Sequence, residues 1–360
     1  MVSHLPYEII FGEILPLVPA KSLVRFKRVC KLWCDTISDP QFVHAHLNRM
    51  KSKPLSGILT RSLINKGDYS FLDPQRDEKF DLCLKNCLGE EDGFLYLKAS
   101  CDGLLLVHAE RIMECRYERN YYICNPITRR FLKLPIPPSQ WFGASGLAYD
   151  VRSRCYKVVG WFGTGGEGCK CMMFTLREDM INICDESFES LKSWKELSLP
   201  RGCKLQRFTS PASVKGGLYW VAFNHEYNEH CIISMDITRE VFLEIKLPRY
   251  EPINRVFTLV GFEGSLYLAQ SSSVHNTYNL GSTFLWVLED LDKDNVWTKL
   301  CYFECNGGGG DHGSEIHKFV SNYDTKLLQE IWLMVIKKDR ETYMISYSDT
   351  HLNSLVTWDA

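Results

Sequence analysis

From Leu55 to the C-terminus, almost every apolar run is short and is bounded by Gly, Pro, Asp or Asn. Runs of that length, punctuated by turn residues, are the signature of strands, and the pattern commits most of the 360-residue chain to β-structure. Ser56-Gly57-Ile58-Leu59-Thr60, Gly103-Leu104-Leu105-Leu106-Val107, Tyr156-Lys157-Val158-Val159, Leu218-Tyr219-Trp220-Val221 and Phe284-Leu285-Trp286-Val287-Leu288 are examples. No long helix is evident in this region. The strands also recur as a unit. A Gly-led apolar strand appears at Gly103, Gly146, Gly217 and Gly264. A second element follows: Asn125-Pro126-Ile127-Thr128-Arg129 leads to Phe131 and Leu134-Pro135, and Asp236-Ile237-Thr238-Arg239 leads to Phe242 and Leu247-Pro248. Trp194-Lys195-Glu196-Leu197 and Trp297-Thr298-Lys299-Leu300 supply the same closing strand elsewhere.

The spacing from Phe131 to Trp194, Phe242 and Trp297 averages about 55 residues, close to the period of roughly 50 in kelch-type repeats. Each unit reads as a four-stranded blade, in which an Asn/Asp-x-x-Thr-Arg turn joins two strands and the aromatic that follows packs between adjacent sheets. A single blade cannot cover its own apolar faces, whereas several stacked radially can, and stacking also removes most exposed strand edges. The expected architecture for residues 51–360 is therefore an all-β, kelch-like propeller of six blades, the last closed by strands from both ends of the domain. A two-sheet sandwich is the alternative, since local strand patterns do not fix closure.

Residues 1–50 have a different character and form a small all-α module. Ile10, Ile14 and Leu17 recur at helical spacing after Pro6, with Pro16 and Pro19 ending that helix. Leu23, Phe26, Val29 and Cys30 line one face of a second amphipathic stretch, with Lys21, Arg25, Lys27, Arg28 and Lys31 on the others. Asp39-Pro40-Gln41-Phe42 has the form of an N-cap with Pro at the first helical position, opening a third helix. So few residues cannot bury that much apolar surface among themselves, and the stripe faces either a partner or the domain behind it.

Leu5-Pro6, Glu13-Ile14-Leu15, Pro19-Ala20-Lys21-Ser22-Leu23, Arg25-Phe26-Lys27, Val29-Cys30-Lys31-Leu32-Trp33 and Ile37-Ser38-Asp39-Pro40-Gln41-Phe42 appear in order without gaps, and together they resemble an F-box. Leu17-Val18 stands where that family often has Arg-Leu. The resemblance implies docking to a Skp-family adaptor, and through it to cullin and RING subunits of a ubiquitin ligase. The residues it implicates in adaptor binding are Leu5, Pro6, Ile9, Ile14, Leu15, Pro19, Leu23, Val29 and Trp33. Further along, Ser100-Cys101-Asp102-Gly103-Leu104-Leu105, Tyr122-Ile123-Cys124-Asn125-Pro126-Ile127-Thr128-Arg129, Gly146-Leu147-Ala148-Tyr149-Asp150, Tyr156-Lys157-Val158-Val159 and the Asp236–Phe242 segment resemble the F-box-associated domain of plant F-box proteins. In that family the C-terminal domain selects the protein to be ubiquitylated. The resemblance does not name the target.

Net charge is −2, which gives no reason to expect nucleic acid as a partner, and the basic residues from Arg25 to Lys31 fit a solvated face or steering toward an acidic adaptor. The 15 cysteines are odd in number and lack framework spacing. With no secretory signal, no apolar run long enough to span a bilayer and no glycosylation sequon, a reduced compartment is expected, either cytoplasm or nucleus. Gly163-Thr164-Gly165-Gly166-Glu167-Gly168 is followed by a strand-like sequence rather than by the helix a phosphate cradle needs, so it reads as a hairpin loop, as does the run from Gly307 to Gly310. Cys83 with Cys87, Cys169 with Cys171, and Cys301 with Cys305 lack the partner pairs of a closed zinc site and read as buried thiols. His225, His230 and Cys231 read as surface residues. Neither a catalytic signature nor a cofactor site emerges.

The leading expectation is thus a non-catalytic substrate receptor, and the alternative is a propeller enzyme or small-ligand sensor with a helical cap. Loops at one end of the propeller are where a target would be read. Gln140-Trp141-Phe142, Trp161-Phe162 with its Gly-rich extension, and Arg249-Tyr250-Glu251 are the candidates, with Trp141, Phe142, Trp161, Phe162 and Tyr250 as the contact residues.

Overall fold

The computed structural model describes residues 5–51, 58–61, 68–73, 78–83, 94–113, 116–136, 141–163, 169–176, 194–205, 211–248, 255–262, 264–273, 280–288, 296–305 and 314–318. The chain divides into two compact units, one of Met1–Pro138, Thr175–Ser193 and Tyr347–Ala360 and the other of Ser139–Phe174 and Trp194–Ser346. The first unit holds the helices and two sheets. Among the described residues, no helix is long and apolar enough to cross a membrane.

Helix α1 (Tyr7–Ile9) runs on through a π-turn at Ile10–Ile14 and a 3₁₀ turn at Leu15–Leu17, and α2 (Ala20–Phe26), α3 (Lys31–Ser38) and α4 (Pro40–Lys51) follow. Pro6 and Pro19 are N-caps: each carbonyl accepts the first amides of its helix, and neither proline needs to donate. Asp39 caps α4 through its Oδ1, which accepts from the Gln41 amide at 2.8 Å, as the sequence indicates. The second amphipathic stretch departs from expectation. Tight closures from the Arg28 amide to the Arg25 carbonyl and from Val29 to Phe26 end α2, Cys30 is extended, and Val29 is left exposed in the break. Leu15, Ala20, Leu23, Ile37, Phe42, Val43, Leu47 and Met50 form the module's interior. The buried His46 ring shares a 3.0 Å hydrogen bond with the Val18 carbonyl, and Arg49 donates to the carbonyls of Gly12 and Glu13, so α4 is fixed to the end of the first helical run.

Every described sheet is antiparallel. Strands β1 (Ile58–Arg61), β2 (Asp68–Asp73) and β3 (Glu78–Cys83) make the first, and β4 (Phe94–Cys101), β5 (Leu104–Met113), β6 (Arg116–Asn125) and β7 (Arg130–Lys133) make the second. In the other unit, β8 (Trp141–Asp150), β9 (Cys155–Gly163), β10 (Cys169–Thr175) and β11 (Lys195–Leu197) form the third sheet. The fourth contains β12 (Cys203–Leu205), β13 (Ala212–Val214), β14 (Gly217–Asn224), β15 (Glu229–Asp236) and β16 (Val241–Lys246). Here β12 and β13 share one edge of β14, Cys203–Leu205 along Ala222–Asn224 and Ala212–Val214 along Gly217–Tyr219. The fifth runs β17 (Arg255–Phe262), β18 (Ser265–Ser273), β19 (Leu280–Leu288), β20 (Trp297–Cys305) and β21 (Ser314–Lys318). Among the described residues there are thus five blade-like sheets; the six-blade count extends onto residues outside them. Strands β7, β11 and β16 close their sheets as the repeat predicts, but the Trp297 strand is followed by β21. Phe131 also departs, being half-exposed, whereas Trp194 is buried and Phe242 and Trp297 pack against cores.

Two kinds of turn set the strand register. Asp102-Gly103 and Lys215-Gly216 are two-residue hairpin turns with positive φ at both positions, 55° and 85° in the first and 47° and 76° in the second, the geometry that follows the right-handed twist of paired strands. The second kind is a four-residue loop opened by Asn125, Asp150, Asn224 or Asp236 and ended by a left-handed residue: Arg129, Arg154, Asn228 or Glu240. The opening side chain mimics a backbone turn. Asn125 Oδ1 accepts from the amides of Ile127 and Thr128 at 2.9 and 3.2 Å, and Asp236 Oδ1 from Thr238 and Arg239, both at 2.9 Å.

Strand alternation then produces two cores. On β14, Leu218, Trp220 and Ala222 join Ala148, Val159, Trp161 and Met173 of the third sheet in one cluster. Tyr219 and Val221 point the other way, into a cluster with Phe257, Leu259, Leu266 and Leu268 of the fifth. The fourth sheet is therefore covered on both faces, as a blade is between its neighbours. Close approach on each side requires glycine: a Cβ at Gly146 would meet Leu218 Cδ1 at 2.7 Å, and one at Gly261 would collide with the Ser213 carbonyl oxygen and lie 2.8 Å from Val214 Cγ2.

An ionic cluster joins the third and fourth sheets. Lys157 on β9 places its ammonium 2.9 Å from Asp150, 2.8 Å from Glu240 and 2.9 Å from the Ile237 carbonyl, and Lys195 also pairs with Glu240. Thr238 Oγ1 donates to Asp150 at 2.9 Å. Burial by itself would raise the Asp150 pKa, but hydrogen bonds from Ser153, Lys157, Thr238 and the Arg152 amide outweigh it and hold the carboxyl well below the usual range. Burial opposes the Lys157 charge too, yet Glu240 and Asp150 raise its pKa.

Candidate docking surface and target-binding loops

Helix α1 and the α2–α3 break leave large apolar side chains outside. Leu5 is 56% and Val29 61% exposed, and Tyr7, Ile9, Ile14, Leu17 and Leu32 are exposed as well. Pro6 is exposed and Pro19 half-buried. Two of the residues named from the motif are elsewhere: Leu15 and Leu23 are buried and hold the helices together, so they have no side-chain surface left to offer a partner. Trp33 is half-buried and stands edge-on to both Phe11 and Phe26, at 5.6 and 5.7 Å between centroids, which locks α3 to the π-turn and to α2. Leu17 belongs to the apolar stripe legible in the sequence, whereas Tyr7 and Leu32 are not among the residues that the resemblance implicates in adaptor binding.

The candidate target-binding residues are placed differently from expectation. Trp141 and Phe142 are within β8, paired with Gly163 and Phe162 of β9, so this segment is strand rather than loop; the side chains of Trp141, Phe142 and Phe162 lie outside the described set. Trp161 is 1% exposed, with its indole edge-on to Trp220 at 6.0 Å and to Phe242 at 6.1 Å. It is a core residue, with no surface to offer a target, and not a contact residue. Tyr250, with Arg249 and Glu251, lies outside the described residues, as do residues 164–168 of the glycine-rich segment and the run at 307–310. Among described loop residues, Tyr227 at the β14–β15 turn is 68% exposed and Val151 at the β8–β9 turn is exposed too. The Thr238–Asp150 bond sets the β8–β9 turn beside the β15–β16 turn, which is at the opposite end of the fourth sheet from Tyr227. Nearby, His225 is exposed and His230 half-buried, but Cys231 is buried, contrary to the surface reading.

The second sheet carries a ladder of titratable groups. His108 is in register with Tyr96 and Tyr121 and stacks against both, at 5.7 and 4.9 Å, while Glu110 pairs with Arg119 at 2.9 Å. Burial, aided by the charges of Lys98 and Arg119, pushes the His108 pKa down to about 3, so the ring is a neutral, stacked interior group. Burial also lowers Lys98, to about 8, against the pull of Glu110. Of the cysteines weighed as ligands, Cys171 and Cys301 are buried, and Cys87 is outside the described residues.

The F-box associated beta propeller domain matches residues 71–358. The chain belongs to the F-box-associated β-propeller family. The F-box domain matches residues 2–44, which covers α1 to α3 and the start of α4. F-box/WD-40 repeat-containing protein 1 of Arabidopsis thaliana is 26% identical over 309 residues, 83% of this chain and 68% of the relative. Putative F-box only protein 15 of Arabidopsis thaliana is 26% identical over 246 residues, 67% of this chain and 58% of that relative. Among solved structures, a GH43_1 enzyme from Xanthomonas citri is 11% identical, covers 63% of this chain and 87% of its own, and has a TM-score of 0.34, too weak a likeness to bear on activity. In this F-box protein the motif divides by burial into a set that builds the helical module, Leu15 and Leu23, and a set that remains available, led by Leu5, Pro6, Ile9, Ile14 and Val29.

Proposed function

We propose that the chain is a substrate-recognition subunit of a cullin-RING ubiquitin ligase: the F-box docks to a Skp-family adaptor, and the sheet domain holds the protein to be ubiquitylated. The observation that carries this reading is the exposed apolar set on a module whose own core is already filled. Leu5, Tyr7, Ile9, Ile14, Val29 and Leu32 are exposed, and a partner that covers them gains hydrophobic free energy of about 25 cal/mol per Å² buried. The chain itself performs no chemistry in this role. It supplies proximity, holding a target lysine near a charged conjugating enzyme. Target recognition falls to loops at one sheet end, and Tyr227 is the described residue best placed for it, since an exposed aromatic on a rigid turn loses little entropy on binding. Pull-down of purified Skp-family adaptor by the full chain tests the docking step. Binding that disappears in the Leu5→Ala, Pro6→Ala double variant supports the proposal, and equal binding by that variant overturns it.

A further inference from the structure

Four strands of the fourth sheet bring two thiols and a carboxylate to one face. The sulfurs of Cys203 on β12 and Cys231 on β15 and a carboxylate oxygen of Glu244 on β16 all lie within 4.8 Å of one another. Cys203 Sγ is 3.6 Å from Glu244 Oε2. That separation matches a ligand edge: with metal–sulfur bonds of about 2.3 Å and metal–oxygen bonds of about 2.1 Å, tetrahedral sulfur and oxygen ligands are about 3.6 Å apart. Between the thiols runs β14, where Ala222, opposite Cys231, has no atom beyond Cβ to occupy the space above it. Asn224, opposite Cys203 and almost fully buried, donates to Glu244 Oε2 at 3.0 Å, while its own Oδ1 is held by the amides of Glu226 and Tyr227. The carboxylate oxygen that faces Cys203 is therefore also held by a buried amide, as metal-bound carboxylates are held by hydrogen bonds.

A disulfide does not explain the pair. With one strand between them and strands about 4.8 Å apart, the two backbones are separated by roughly 9 to 10 Å, beyond the ~7 Å that a disulfide spans. As a thiol, Cys203 donates to Glu244 Oε2, and loss of that proton leaves the same sulfur and oxygen free to share a cation.

We propose that Cys203, Cys231 and Glu244 bind a thiophilic divalent cation of the Zn²⁺ class, with water in the fourth position. Two metal–sulfur bonds form as two S–H bonds break, and both protons leave to solvent. Glu244 is exposed, which gives the ion and the water a route to the site. Thiolate ligands favour zinc over magnesium or calcium, whose sites are built of oxygen. The site is separate from the docking reading and stands or falls without it.

The test is titration of the full chain with Co²⁺ in a non-thiol reductant, read by thiolate-to-cobalt charge-transfer absorption and by displacement with Zn²⁺. One equivalent is expected to saturate the signal. Cys203→Ser and Cys231→Ser each remove it, Glu244→Gln weakens cobalt binding by about tenfold or more, and Cys155→Ser leaves it unchanged. Absence of a saturable signal in the natural chain, or its survival in the Cys203→Ser, Cys231→Ser double variant, overturns the proposal. Should the serine variants fail to fold, Glu244→Gln decides alone: its side chain is at the solvent boundary, and unaltered affinity there overturns the assignment.

Discussion

The Lys157 ammonium and the Asp150 carboxylate meet at 2.9 Å with side chains only 6% and 3% exposed, at the point where the third and fourth sheets join. Replacing Lys157 with Met leaves the buried Asp150 without its cation, while Glu240 keeps Lys195, and is expected to lower stability by about 3 to 5 kcal/mol, because an uncompensated buried charge costs more than the pair contributes. Adding Asp150→Asn recovers part of that loss in chemical denaturation. The pH signature has two sides. The depressed Asp150 pKa gives stability that is complete above about pH 4 and is lost as pH falls through the folded value, and the raised Lys157 pKa gives stability complete below about pH 10 and lost as pH rises through its folded value.

Within the helical module, burial separates two outcomes that a motif alone would merge. Ile9→Ala is expected to weaken adaptor binding by at least about 2 kcal/mol, roughly thirtyfold in Kd, with helix content by circular dichroism unchanged. Leu23→Ala removes a fully buried side chain, and a loss of about 2 to 5 kcal/mol is expected to appear first as melting of the module. Equal folding defects in both variants would contradict the division.

His108 predicts a second acid sensitivity. Its folded pKa of about 3 lies below the unfolded value of about 6.5, so the unfolded chain binds the proton first and stability falls with acid across that window, by about 1.4 kcal/mol per pH unit. Denaturation at several pH values between about 6.5 and 4 checks this, and His108→Phe is expected to flatten the slope while keeping the stack with Tyr96 and Tyr121.

Gly261→Ala is expected to cost about 1 to 3 kcal/mol in thermal or chemical unfolding, since its methyl group would run into the Ser213 carbonyl oxygen, a backbone atom that cannot rotate away. Gly12→Ala, where nothing is within 4 Å, is the neutral comparison.

Strands were legible because apolar runs and turn residues are local signals. Two of the four Asx loops were visible in the sequence, those at Asn125 and Asp236, because both continue into Thr-Arg; Asp150 and Asn224 share only the opening residue and the left-handed fourth loop position. Trp161 was misplaced for a different reason. A Trp-Phe pair leading into glycines looks like a binding loop, yet two-residue alternation from Val159 already points Trp161 into the core. For Leu15 and Leu23, motif identity says that the residue matters without saying which way it points. The Cys203, Cys231 and Glu244 cluster has no ligand spacing in sequence at all; only the register across β12, β14, β15 and β16 assembles it.

The chain-order pairing of the sheets bears on how the molecule is made. Apart from the β12–β14 pair, each described strand bonds to its immediate neighbour in sequence, through loops that in many cases are only two or four residues long. Contacts so close along the chain are reached with little loop-closure entropy. A ribosome releasing this polypeptide therefore hands out hairpins that can pair as they emerge, and the slow event left for the finished chain is the docking of preformed sheets through faces such as that of Trp220.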